Sequence, residues 1–132
     1  SDLIITTGYV SRAYAQNYIA YLANTLMEND FWKNQIEQIN VTPDLGIELV
    51  PRVGNHIVYI GQLPKCNDKN LRGIEIKNFV DKKLNRLRKF YLYGLSQAGW
   101  NKYSYINLEF DNQIICKKRS LKKTETRTEN EI

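Results

Sequence analysis

Side chains suited to chemistry are scarce in this chain of 132 residues, which has one histidine, two cysteines, one methionine, three prolines and seven glycines. Two cysteines, Cys66 and Cys116, are too few for a disulfide scaffold, and with a single His they cannot complete a four-ligand zinc site without carboxylates. Their redox state is left open by the spacing. Uninterrupted apolar stretches are short, as at Leu3 to Ile5, whereas a membrane-crossing helix needs about 18 to 20 residues. Ser1 does not open a basic patch followed by an apolar block and a small-residue cleavage site, and the chain does not begin with Met, so a piece of a longer protein is expected.

What is present suits one globular domain: 42% of residues are hydrophobic and 25% charged. The formal charge of +5 is uneven. Lys117, Lys118, Arg119, Lys122, Lys123 and Arg127 against Glu125, Glu129 and Glu131 leave +3 in the last residues and +2 in all the rest. That is the pattern of a balanced domain followed by a solvated extension, more than of a nucleic-acid-binding arm.

Apolar residues recur at helical spacing from Arg12 to Glu28, through Tyr14, Ala15, Tyr18, Ile19, Leu22, Ala23, Leu26 and Met27, with Ser11 as N-cap. Strands are expected from Gln35 to Val41, Ile47 to Arg52 and His56 to Gly61. Between the first two, Pro43 and Gly46 would supply the special angles of a turn, which makes an antiparallel meander. A polar loop spans Gln62 to Gly73. A second helix carries Ile76, Phe79, Val80, Leu84, Leu87, Tyr91, Leu95 and Ala98 on one stripe, ending at Gly99, and Lys82, Lys83, Arg86 and Lys89 on a solvated face. Tyr103 to Phe110 and Gln113 to Arg119 form a closing hairpin around a two-residue turn, Asp111 and Asn112, with Tyr103 and Tyr105 on its outer face. From Ser120 no apolar periodicity survives, so residues 120–132 are expected to be a disordered polar tail behind a domain of residues 1–119.

Converging catalytic groups are missing from this outline. His56 sits in an apolar strand, where a structural hydrogen bond is the economical role. Acids are scattered, Gly54 and Gly61 flank a strand and open no phosphate-binding helix, and Tyr103 with Tyr105 fall short of an RNA-stacking platform. The remaining binding device is backbone. A closing hairpin would leave Gln113 to Arg119 at the margin of the sheet, where unpaired N–H and C=O groups invite a partner strand. Lys117, Lys118 and Arg119 fit either protection against pairing with copies of the chain or the choice of an acidic partner.

Several strings carry a family resemblance over residues 9–119. They are Phe31-Trp32, the run from Ile47 through Pro51-Arg52-Val53-Gly54 into His56-Ile57-Val58-Tyr59-Ile60-Gly61, Lys83-Leu84 with Phe90-Tyr91, and Tyr105 to Phe110 leading through Asp111-Asn112-Gln113 into Ile114-Ile115-Cys116. The chain resembles the C-terminal extracytoplasmic β domain of the bacterial division proteins FtsQ and DivIB, in a form like that of Bacteroidetes. The resemblance implies a noncatalytic divisome scaffold without cofactor or metal, anchored in the inner membrane by one N-terminal helix, with this domain in the periplasm beyond a POTRA domain. It implies FtsB- and FtsL-type partners, bound by strand addition at the last strand, through positions that fall on Glu109, Phe110, Asn112, Gln113, Ile115 and Lys117. Glu109 stands where members of the family carry an Arg, and Gln113 where a Gly is common.

The expectation is therefore an α+β fold, a three-strand antiparallel meander plus a C-terminal hairpin packed by two long helices, in a monomeric, nonenzymatic binding module. The alternative is a POTRA-associated module of a transport or outer-membrane assembly system.

Overall fold

Ser11 ends an extended stretch and accepts a hydrogen bond from the Tyr14 amide at 3.0 Å, supplying a partner that the first helical turn lacks. In the computed structural model, which describes residues 3–95, 97, 99–119 and 125–130, a helical run follows: α1 (Arg12–Tyr14), a π-helical stretch Ala15–Ile19, and α2 (Ala20–Glu28). Ile19, Leu22 and Leu26 turn its apolar stripe into the core. The run stops at Asn29, whose side-chain oxygen accepts from the Phe31 and Trp32 amides, both at 3.0 Å.

The second long helix, α3 (Lys69–Lys89), starts inside the expected polar loop because Asp68 caps it, accepting from the Asn70 amide at 2.8 Å. It continues as a π-helical stretch, Phe90–Leu95. Gly99, at φ 100°, closes this end by donating its amide to the Leu95 carbonyl at 2.7 Å, a left-handed terminus that a Gly accepts without steric cost.

Seven strands form one sheet in chain order: β1 (Ile5–Gly8), β2 (Ile36–Val41), β3 (Gly46–Pro51), β4 (Ile57–Gln62), β5 (Tyr103–Asn107), β6 (Gln113–Lys118) and β7 (Glu125–Asn130). The meander β2–β3–β4 is antiparallel, as the sequence indicates. Two pairs are parallel, β1 with β2 and β4 with β5, the latter because α3 carries the chain back across the sheet. Between β2 and β3 the left-handed residue is Leu45, at φ 67°, not Pro43 or Gly46. Gly46 is needed for space instead, since a side chain there would lie 2.7 Å from the Tyr59 ring and 2.9 Å from the Thr42 hydroxyl.

Ile39, Val41, Ile47, Leu49, Val58, Ile60, Ile106 and Ile114 point from the sheet to Leu22, Leu26, Ile76, Val80, Leu84 and Leu87 of the helices, in one core that also holds Trp32. The α+β class stands. No described helix is long and apolar enough to cross a membrane.

Four expectations about the end of the chain are corrected. Gln113 to Lys118 is not a margin, because β6 lies between β5 and β7 with ladders on both sides. The tail is not disordered throughout: residues 125–130 form β7, although 120–124, 131 and 132 lie outside the described residues. And the hairpin has no two-residue turn. Asn107 pairs with Ile115, and the intervening Leu108 to Asn112 form a wider connection. Tyr103 is also not on the outer face: a register irregularity before Tyr105 turns it inward, 2% exposed, against Phe90.

Leu84 is 1% exposed at the centre of the α3 stripe. Leu84→Ala is expected to lower unfolding stability by about 2–5 kcal/mol, read from the urea midpoint at unchanged m-value.

Candidate partner-binding site at the carboxyl-terminal margin of the sheet

The β5–β6 connection is held from below by two cations of α3. Lys83 Nζ donates to the Leu108 carbonyl at 2.7 Å and the Glu109 carbonyl at 2.9 Å. Arg86 donates to the Leu108 and Gln113 carbonyls, both at 3.0 Å. These residues were expected on a solvated face, yet they are 4% and 5% exposed. The signal was in the spacing: Lys83 stands seven residues after Ile76 and four before Leu87, within the apolar stripe. Burial pushes the Lys83 ammonium below its usual range, the neighbouring Arg86 adds to that, and Asp111, 3.9 Å away, opposes it. The loop is fastened at its other side by the Leu108 amide on the Tyr59 carbonyl at 2.8 Å, and by the Glu109 amide on the Asn107 side chain at 2.8 Å.

On this frame the six residues singled out in the sequence fall into two groups. Glu109, Phe110 and Asn112 are exposed on the loop, Phe110 at 44%. Gln113, Ile115 and Lys117 alternate along β6 on the face away from the helices, while Ile114 and Cys116 between them are buried. The two groups adjoin at the loop end of β6, so the six side chains are neighbours, but the β6 backbone beneath them is already paired.

The helix-free face of the sheet is a continuous polar and aromatic network. Gln38 donates to Thr7 at 2.8 Å, Thr7 to Asn40 at 2.8 Å, and Asn40 to one Glu48 carboxylate oxygen at 2.9 Å. Tyr105 donates to the other at 2.7 Å. The Tyr59 and Tyr105 rings stack at 6.5 Å, and Lys117 Nζ sits 5.0 Å from the Tyr105 centroid, a cation–π contact that draws a candidate site residue into the network. Burial first, and then the Glu48 hydrogen bond, raise the Tyr105 phenol well above its usual range.

At the far end of β4, His56 is 4% exposed, with one ring nitrogen 2.8 Å from the Gly54 carbonyl and the other 2.6 Å from the Tyr91 hydroxyl. Its environment is that of a structural residue. Arg119 closes the same corner, its guanidinium on the Asn55 carbonyl and, at 3.3 Å, on the Tyr103 carbonyl, so this cation of the expected edge trio holds loops together. Among the described residues no three His, Cys, Asp or Glu side chains converge as metal ligands.

Two measurements test this geometry. Lys83→Met takes the Lys83 donor from the Glu109 carbonyl and leaves the Leu108 carbonyl to Arg86 alone, so stability should fall by about 1–3 kcal/mol, with faster amide exchange concentrated at 108–113. Desolvation holds the His56 imidazole below the ordinary 6.5, outweighing the Gly54 carbonyl. The unfolded chain therefore binds a proton that the native state refuses, and stability should drop as pH falls from 6.5 towards 5. In His56→Asn that part of the slope should vanish, as read from urea midpoints across the interval.

No curated protein matches the chain. A family model described as FtsQ/DivIB, C-terminal related, matches residues 1–117, from the first strand into β6 and short of β7. With the match covering nearly the whole domain, the chain belongs to the FtsQ/DivIB C-terminal related family.

Proposed function

We propose that this domain is the periplasmic assembly module of a membrane-anchored division protein and binds partner proteins of the FtsB and FtsL type by strand addition at the C-terminal margin of its sheet. Membership of a family of nonenzymatic cell-division scaffolds supports the role. The observation that carries the mechanism is the end of the sheet itself: β7 pairs with β6 alone among the described strands, so the sheet stops at a row of backbone groups, next to a loop that presents Phe110. Glu109, Phe110, Asn112, Gln113, Ile115 and Lys117 would give an incoming chain its side-chain contacts. An apolar anchor at Phe110 and a cation at Lys117 suit a segment that is apolar at one end and acidic at the other. The exposed Glu109 would meet a basic residue of the partner.

The test is titration of the domain with the periplasmic segments of FtsB- and FtsL-type proteins from the same genome, followed by calorimetry and by amide NMR. Binding is expected to move the amide signals of β6, β7 and residues 108–112 and to leave α2 unchanged, and Phe110→Ala should weaken it about tenfold. A proline placed in the middle of the partner segment should abolish binding, because it removes a ladder donor without touching this domain. Absence of binding, or shifts confined to the helices, would overturn the reading.

A further inference from the structure

β7 differs from the strand it covers. Its sequence, Glu125-Thr126-Arg127-Thr128-Glu129-Asn130, contains no apolar residue, whereas β6 alternates buried Ile114 and Cys116 with outward Gln113, Ile115 and Lys117. The ladder between them runs without irregularity from Gln113 opposite Asn130 to Lys118 opposite Glu125. In that register Arg127 stands opposite Cys116 and Glu129 opposite Ile114. The register positions opposite the two buried residues of β6 are thus occupied in sequence by an Arg and a Glu, neither of which is apolar. A strand with no apolar residue in its sequence relies on main-chain hydrogen bonds, each of modest net worth in water. The family match ends at Lys117, short of β7.

We propose that β7 is a resident strand that a partner replaces, and that the acceptor for strand addition is the β6 edge underneath it. This rests on the strand-addition reading above and specifies its acceptor. The replacing segment runs antiparallel to β6, places apolar residues opposite Ile114 and Cys116, and carries an acid opposite Lys118, where β7 has Glu125. Each apolar residue at those two positions extends the buried row, which β7 cannot do. Until such a segment arrives, β7 satisfies the backbone groups of β6 and keeps that edge from pairing with other copies of the chain.

The register supplies a lock. Opposed residues of an antiparallel pair lie about 4.5–5.5 Å apart between Cα atoms, within the span of a disulfide, so Arg127→Cys sets a thiol against Cys116. The experiment uses the full chain bearing Arg127→Cys, oxidised and reduced. The probe is a fluorescent synthetic peptide of residues 124–131 carrying Arg127→Val and Glu129→Val. The reduced chain is expected to bind the peptide at least tenfold more tightly than the oxidised chain, and the peptide of unaltered sequence should bind more weakly than the valine peptide.

Failure of Cys116 and the new cysteine to join under oxidation would show that β7 does not occupy β6 in solution and would overturn the proposal. Equal affinity of both redox forms would also overturn it, placing the added strand on the outer edge of β7 while strand addition itself survives. No binding of the valine peptide to either form overturns it as well. The same reduced chain titrated with FtsB- and FtsL-type segments reads the underlying function separately, since binding there alongside failure with the peptide keeps the function and discards the exchange.

Discussion

Cations placed inside the apolar stripe of α3 hold the connection between β5 and β6 at the C-terminal side of the sheet. Lys83 and Arg86 lie among Ile76, Val80, Leu84 and Leu87, and their donors end on the carbonyls of Leu108, Glu109 and Gln113. Arg72, one further cation in the stripe, does the same for the segment before the helix, donating to the Cys66 carbonyl at 2.8 Å while its guanidinium covers the Tyr18 ring. A buried ammonium or guanidinium is costly unless its hydrogens are used, and a buried carbonyl is costly unless it accepts. Joining the two satisfies both with a fixed geometry. The helix thus holds connecting segments in place as well as covering the sheet, and the loop that exposes Phe110 takes its shape from this contact.

That arrangement also gives the candidate site its stiffness. Its six side chains fall on two supports of different stiffness. Gln113, Ile115 and Lys117 project from a strand paired on both sides, while Glu109, Phe110 and Asn112 sit on a loop whose backbone is held by Lys83 and Arg86. Along the helix-free face, the chain of contacts from Gln38 through Glu48 to Tyr105 and Lys117 ties strand β2 to strand β6 through side chains alone. Side chains ordered in advance lose less entropy when a partner arrives.

Much of the fold was legible because its periodicities are strong. The meander from Ile36 to Gln62 and the α3 stripe from Ile76 bury most of what their spacing says they bury, and so does the first helix apart from Met27, which is 53% exposed. The failures have physical causes. β1 is four residues, Ile-Thr-Thr-Gly, with little burial, so it shows no inward-facing pattern and is recognisable only by its β-branched residues and its pairing with β2. β7 escaped for the same reason, more severely, since a strand made only of polar residues carries no periodicity to read. Tyr103 was misplaced because strict alternation was assumed through an irregular register. Lys83 and Arg86 were read by charge when position along the stripe was the better guide. Of the candidate site, the residues of β6 and the loop do adjoin, but the margin of the sheet lies one strand further on, at β7.

The parallel pairing of β4 with β5 sets the order in which the molecule can assemble. Ile57 meets Tyr105 only after the intervening helix has crossed the sheet, whereas the meander before it closes through short turns. Bringing together segments so far apart in sequence carries a loop-closure cost that is met before any contact is gained, and this slows the step. During synthesis the strands β2 to β4 therefore wait with one edge open until α3 and β5 emerge, and the C-terminal end of the sheet is the last region to form.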